Sequence, residues 1–408
     1  MAGDVDKIDP WLLNQRFYHG FLQREDLPAL LQNHGDFLVR CNEAEKGQPR
    51  EVIVSVLVDP DGKSRGADET SRLNFTRNLV VQSGLTNKTK MYYFDSRQKY
   101  DSLEELIAHH SDTPLLVNQV EVVLKRAIRL APWEYTPQSL QVGKLLSTGA
   151  YGEVRQGKLT KRDGAAVDVA VKQMKGRSEI SRAQVKEMVR EARLMRGLSH
   201  PNIIHFYGVC LQEQPISIIF ELIQGKALDA YLLENKDTID KDEKMQIIMG
   251  VVWGLEYLHS QSVLLREVAA KNCLVDLDTK TVKISEFGLA RPGSTYSMKT
   301  ARKMPIRWMA PESIKTFVFS TKSDVYSYGV LIYEVFAGVE PYAKLSANAA
   351  KEAILKGNLN EFPASTPERV VTYVKSKMWD ADPDKRETTS HVKAWLEVFT
   401  GLTLTVKG

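Results

Sequence analysis

Apolar positions follow two kinds of spacing along the chain, one helical and one alternating. Near the start, Leu27, Leu30 and Leu31 share one face of a helix. The turn at Gly35 and Asp36 then leads into a strand over 37–40, with Phe37 and Val39 on one side and Leu38 and Arg40 on the other. The charged D-P-D-G stretch predicts an exposed hairpin loop over 59–70. A second region opens with strand, glycine-rich turn and strand over 145–154, followed by the strand residues Val169, Ala170, Val171 and Lys172 and an amphipathic helix bearing Glu191. The apolar run 325–337, broken by Glu334 and too short to cross a bilayer, reads as a buried helix. Between the regions, Pro132 and Pro137 flank Trp133 in a linker too short for independent movement over long distances, so a docked pair of domains is expected. The pattern predicts an α+β multidomain chain, with tails over 1–16 and 402–408, domains over 17–127 and 140–401, and the linker over 128–139.

Composition narrows the picture. The 408 residues are 43% hydrophobic, and a net charge of +4 is small against 55 basic and 51 acidic side chains, so a nucleic-acid partner is not expected. Cys41, Cys210 and Cys273 are odd in number and lack metal-ligand spacing, as free thiols of a reducing compartment would be. The opening M-A-G-D-V-D-K-I-D-P is acidic and has no apolar run, and Ala2 stands where N-myristoylation needs glycine. A cytoplasmic chain without a transmembrane segment is expected.

An arginine closing so apolar a strand as 37–40 is costly unless it meets an anion. The sequence F-Y-H-G at 17–20 followed by G-D-F-L-V-R at 35–40 resembles the Src-homology-2 domain, and the resemblance extends over the whole first domain. It implies a central antiparallel sheet flanked by two helices, with strands over 51–58, 78–82 and 121–124 and a helix over 102–110, and phosphotyrosine-containing proteins as partners. By that resemblance Arg40 meets the phosphate with a planar fork that lysine cannot reproduce, and Arg24 closes over ring and phosphate. Asn42 and Asn78 stand where the family has serine and histidine, and both can donate hydrogen bonds.

The second domain is similar to the bilobal protein-kinase fold. V-L-L-R-E-V-A-A-K-N at 263–272 and E-F-G at 286–288 stand where that family has H-R-D-L-A-A-R-N and D-F-G. The resemblance makes ATP and magnesium the cofactors. Leu146, Ser147, Gly149, Gly152, Val154, Ala170 and Leu274 line the nucleotide, Lys172 pairs with Glu191 to hold its phosphates, and Phe220, Glu221 and Ile223 form gatekeeper and hinge. Arg266, Glu267, Lys271 and Asn272 are the catalytic-loop residues, and Asn272 and Glu286 the metal ligands. Phe206, Met195, Phe287 and Leu265 would form the internal spine. Tyr296 lies in the activation segment 288–303, either as a phosphorylation site able to pair with Arg266 or as an unmodified tyrosine. P-I-R-W at 305–308 together with A-A-K-N resembles the tyrosine-specific branch, and the order of the two domains resembles the Fes and Fer group of non-receptor kinases. The membrane-binding and coiled-coil region of that group is not carried over.

Glu267 replaces the aspartate that serves as base, and Glu286 the aspartate that binds magnesium. Each change keeps the charge and moves the carboxylate about 1.5 Å along one more carbon–carbon bond. Phosphoryl transfer depends on in-line placement, and about 1 Å of misplacement can cost on the order of a hundredfold. Magnesium binding should also weaken, since the ion demands near-octahedral geometry. Two readings follow: an adaptor that captures phosphotyrosine and binds ATP with weak or absent transfer, acting on substrates or active kinases as partners, or an active tyrosine kinase that has adapted to glutamate.

Overall fold

A computed structural model of the chain describes residues 8–42, 50–86, 89–149, 152–174, 182–299 and 304–404. The chain divides into two compact units, Met1–Arg196 with Phe206–Glu221, and Gly197–His205 with Leu222–Gly408.

The first unit begins with α1 (Pro10–Leu13), capped by the Asp9 carboxylate on the Trp11 N–H at 2.9 Å. Leu12 of α1 is fully buried, although it falls in the stretch expected to be a tail. A 3₁₀ turn, Arg24–Asp26, runs into α2 (Leu27–Leu30), and Leu27, Leu30 and Leu31 all face the core as their spacing predicts. Then come β1 (Asp36–Cys41), β2 (Val52–Leu57), α3 (Glu69–Leu73), β3 (Thr76–Val80), β4 (Gln82–Thr86), β5 (Thr89–Tyr93), α4 (Leu103–Asp112), β6 (Leu115–Val117), β7 (Val120–Val122) and β8 (Arg126–Ala127). The sheet order is β3-β2-β1-β8, antiparallel except for β8, which joins β1 in parallel. All six residues of β1 are buried, because strands flank it on both sides.

The insert over 59–70 is the mostly exposed connection expected between the antiparallel strands β2 and β3, with only Asp59 and Ser64 buried in it. Asp59 is buried and accepts hydrogen bonds from the Lys63 and Ser64 N–H groups, both at 2.8 Å, which folds the insert into a closed turn running into α3. The strand expected over 121–124 is β7, which pairs with β6 in a separate hairpin, while the Leu124 N–H caps the end of α4 at His110 O, 3.0 Å.

The same unit continues through a second sheet, built from β9 (Leu140–Thr148), β10 (Glu153–Thr160), β11 (Ala166–Gln173), β12 (Phe206–Cys210) and β13 (Ser217–Glu221), with α5 (Arg182–Met195) between β11 and β12 in sequence. Its order is β12-β13-β11-β10-β9, all antiparallel, around a core of Leu159, Val169, Val171 and Ile219. Helix α5 buries Val185, Met188, Val189, Ala192 and Met195, an apolar stripe of helical period. It also meets the first sheet's side of the unit. Buried Asp26 takes Arg193 Nε at 2.7 Å and Nη2 at 2.8 Å, pairs with Arg196 as well, and lies near the Glu25–Lys186 ion pair at 2.9 Å.

The second unit holds β14 (Gly225–Ala227), α6 (Leu228–Glu234), α7 (Lys241–Ser260), β15 (Val263–Leu264), β16 (Cys273–Asp276), β17 (Val282–Ile284), β18 (Arg291–Pro292), β19 (Thr295–Ser297), α8 (Pro311–Thr316), β20 (Val318–Ser320), α9 (Thr321–Ala337), α10 (Ala347–Leu355), α11 (Glu368–Tyr373) and α12 (Thr389–Thr400). Helix α9 contains the apolar run and is buried on nearly every side. A capping box between Ser320 and Ser323 starts it, and Gly338 at φ +63° ends it. Short strand pairs β15–β18 and β16–β17 hold the loops on which the polar residues of 265–290 sit.

Candidate functional site

In the first unit, β1 carries Arg40, 5% exposed, toward three acceptors. Its Nε donates to Ser55 Oγ at 3.0 Å, Nη1 to Asn42 Oδ1 at 3.2 Å and Nη2 to Asn78 Oδ1 at 3.1 Å. The two asparagines therefore turn their oxygens to Arg40, because a guanidinium has only donors to offer, and Asn42 Nδ2 donates to Glu51 at 3.0 Å. Burial pulls the Arg40 pKa down to about 10, with nearby Arg24 adding to the shift, and the group stays charged at neutral pH. Exposed Arg24 leads the 3₁₀ turn before α2.

The glycine-rich turn joins β9 to β10, and Ser147 pairs with Val154, itself opposite Lys172 on β11. The tip, Ala150 and Tyr151, lies outside the described residues. Gly152 has no room for a side chain, since a Cβ there would sit 2.3 Å from Gln173 O. Lys172 Nζ donates to Glu191 Oε1 at 2.8 Å and Oε2 at 3.0 Å, so strand and helix present the expected pair already assembled. Ala170 pairs with Phe220, which is buried and packs edge-on against Phe206, and Glu221 follows at the end of β13.

In the second unit, the Leu265 and Arg266 N–H groups both donate to the buried Asp324 carboxylate, at 2.9 and 2.8 Å. Arg266 is held at φ +67°, a conformation L residues seldom adopt. Beyond it, Glu267 Oε1 lies 2.9 Å from Lys271 Nζ, and that ammonium sits 4.6 Å from the centre of the Trp308 ring. Asn272 Nδ2 donates to Glu267 O at 3.1 Å, while Ser285 donates through both N and Oγ to Asn272 O at 2.9 and 3.0 Å. These bonds tie the 265–272 loop to the 286–288 loop. There Glu286 Oε1 accepts from the Gly288 N–H at 3.1 Å, and Phe287 is buried. Leu274, on β16, pairs with Ala227 and Lys283. Ile223 lies at the start of this unit and is half-buried. Tyr296, on β19, is half-buried with the Arg266 guanidinium 4.4 Å and that of Arg291 5.3 Å from its ring centre. Residues 300–303 of the activation segment lie outside the described residues.

A family model described as protein tyrosine and serine/threonine kinase matches residues 140–396, and one described as SH2 domain matches 17–110. The chain belongs to the tyrosine kinase family. It is 30% identical to Fer-related kinase 1 of Caenorhabditis elegans over 386 residues, 94% of this chain and 93% of that protein. It is 34% identical to spermatocyte protein spe-8 of the same organism over 358 residues, 87% of the chain and 66% of the relative. Against tyrosine-protein kinase Fer of Mus musculus the identity is 31% over 380 residues, covering 92% of the chain but 42% of Fer. An SH2 domain followed by a kinase domain is thus its architecture. No helix among the described residues is long and apolar enough to cross a membrane.

Three site residues escaped the reading of the sequence. Ser55 is the one polar residue in the run V-I-V-S-V-L of β2, and that interruption was the available signal; it is fully buried and bonded to Arg40 and to Asn78 Oδ1, the latter at 2.7 Å. Glu334 was noted only as a break in an apolar helix. Inside the kinase domain its Oε2 accepts from the Ala270 N–H at 3.0 Å and from Trp308 Nε1 at 2.9 Å, joining the 265–272 loop to the 305–308 segment. Burial pushes its carboxyl up to about 8 against those two hydrogen bonds. Asp26 gave no local signal, because its partners lie far along the chain.

Proposed function

We propose that this kinase-family chain is a cytoplasmic signalling protein that binds phosphotyrosine through Arg40 and ATP through Lys172 and Glu191, with phosphotransfer weak or absent. The observation that carries the reading is the state of the two substituted carboxylates: Glu267 is engaged by Lys271, and Glu286 is turned back on the N–H of Gly288 in its own loop. A base committed to a lysine, and a metal ligand one bond longer than aspartate and bonded to its own backbone, are poorly placed for in-line transfer.

Asn272 and Glu286 offer oxygen atoms, the donors magnesium takes, and with Asn272 Nδ2 used on the Glu267 carbonyl the amide oxygen is left for a cation. These two residues would hold the ion, which when bound offsets phosphate charge. Arg40 with Ser55, Asn42 and Asn78 supplies a preformed fork for the phosphotyrosine of a partner, and Arg24 the covering charge.

A second reading, an active tyrosine kinase, is favoured by the assembled Lys172–Glu191 pair and by Arg386, which holds Glu312 through two bonds at 2.7 and 2.8 Å. Calorimetric titration of the whole chain separates the proposals. The adaptor reading expects a tyrosine-phosphorylated peptide to bind, with affinity lost in Arg40→Ala, and magnesium-ATP to bind without turnover. Equal capture of the peptide by both proteins would sink the docking role.

A further inference from the structure

We propose that His19 and Glu134 form a charged rivet that fastens the SH2 domain to the linker and to the kinase domain's first sheet, and that opens when His19 gives up its proton. Both side chains are buried, His19 fully and Glu134 to 3% exposure. His19 Nδ1 lies 2.9 Å from each Glu134 carboxylate oxygen, and Nε2 lies 3.0 Å from Ile128 O. A neutral imidazole donates from one nitrogen and accepts at the other. Here acceptors face both nitrogens, so only the imidazolium satisfies the site.

The rivet sits where three layers meet. On one side the His19 N–H donates to Val39 O at 2.8 Å, which sets residues 18–20 along β1, next to Arg40. On another, the Phe21 N–H donates to Leu211 O at 2.9 Å and Gln212 Nε2 to Tyr18 O at 2.9 Å. Gly20, at φ +59°, allows that approach, since a Cβ there would lie 1.9 Å from Leu211 O. On the third, the linker adds to β12 through Tyr135 N to Val209 O and Val209 N to Trp133 O, both 2.8 Å. Glu134 is the linker residue bridged to Val209, and its Oε2 also takes the Ala131 N–H at 2.9 Å.

The charged and titratable groups around the pair are few. Tyr18 and Cys41 lie on the SH2 side, where the Tyr18 hydroxyl donates to Cys41 Sγ at 3.3 Å. From the kinase side, Arg162 donates to the carbonyls of Leu130 and Glu134 at 3.0 and 3.3 Å, and Arg196 stacks 4.5 Å from the centre of Trp133. Burial opposes charge on His19, but the Glu134 charge and hydrogen bond, with the Ile128 carbonyl, outweigh it and raise the ring's pKa above its ordinary value. A histidine raised in the folded state contributes stability that is complete below its ordinary value of about 6.5 and is lost as pH rises through the folded value. The rivet is therefore closed in acid and opens toward alkaline pH.

The test uses the whole chain. Nuclear magnetic resonance of the His19 ring should give a titration midpoint above that of an ordinary histidine, with both ring nitrogens protonated below that midpoint. Hydrogen exchange of amides 128–136, corrected for the intrinsic effect of pH, should accelerate about tenfold as His19 deprotonates. Glu134→Gln should show that fast exchange already at neutral pH and lose the pH dependence. Phosphopeptide binding through Arg40 checks that the variant is folded. A His19 midpoint at or below about 6.5 in the natural chain overturns the proposal without any variant. So does linker exchange that is unchanged in folded Glu134→Gln.

Discussion

Glu334 shows how one buried side chain can make the kinase domain sensitive to pH. Its carboxyl is pushed up to about 8 by burial, so it holds a proton in the folded protein at neutral pH. The sign follows from linkage. A carboxyl raised in the folded state favours folding fully below its unfolded value, and that advantage is lost as pH rises through about 8. The loss is on the order of a few kcal/mol. Thermal unfolding followed by tryptophan fluorescence should show the kinase domain weakening as pH rises from the ordinary carboxyl range to about 8 and levelling off above it. Glu334→Gln can still accept from Ala270 and Trp308 and should flatten that decline; an equally steep decline in the variant would assign the effect to another group. At this scale Arg40, Lys172, Glu191, Asn272 and Tyr296 stand out in the sequence by their places in motifs that resemble the two families. Ser55 and Glu334 were less legible, because a buried polar residue reads from sequence only as a break in an apolar run, and its partner is chosen by the fold.

Helix α5 illustrates the same limit among elements. Its apolar stripe predicts one buried face, and Val185, Met188, Val189, Ala192 and Met195 occupy it. Arg193 on the helix and Arg196 just past its end converge on buried Asp26, more than 160 positions earlier in the chain, and no sequence pattern announces that pairing. Removing Asp26 leaves two arginines without their shared carboxylate. Because both retain some exposure, Asp26→Ala should cost roughly 3 kcal/mol rather than the upper end for a fully buried pair. Chemical denaturation measures this, and a loss below about 0.5 kcal/mol would mark the contact as an ordinary surface pair. The insert over 59–70 shows a related limit: D-P-D-G signals the exposed turn, but Asp59 closing it through backbone N–H groups depends on geometry that composition does not carry.

Across the whole molecule, the account turns on two carbon–carbon bonds in a kinase domain that is otherwise assembled. Asp324 holds the catalytic loop by two backbone N–H groups, Arg386 holds Glu312, and Lys172 holds Glu191. What departs from the family is the reach of Glu267 and Glu286, whose carboxylates are taken up by Lys271 and by the Gly288 N–H. If the two losses were independent they would multiply to about ten-thousandfold, although residues acting as one unit seldom add. The most direct measurement is transfer of labelled phosphate from magnesium-ATP to a tyrosine peptide, comparing the natural chain with the double variant Glu267→Asp, Glu286→Asp. The account predicts background transfer by the natural chain and at least about a hundredfold more by the variant. Turnover by the natural chain equal to that of the variant would contradict it, and would make this an active tyrosine kinase built around glutamate.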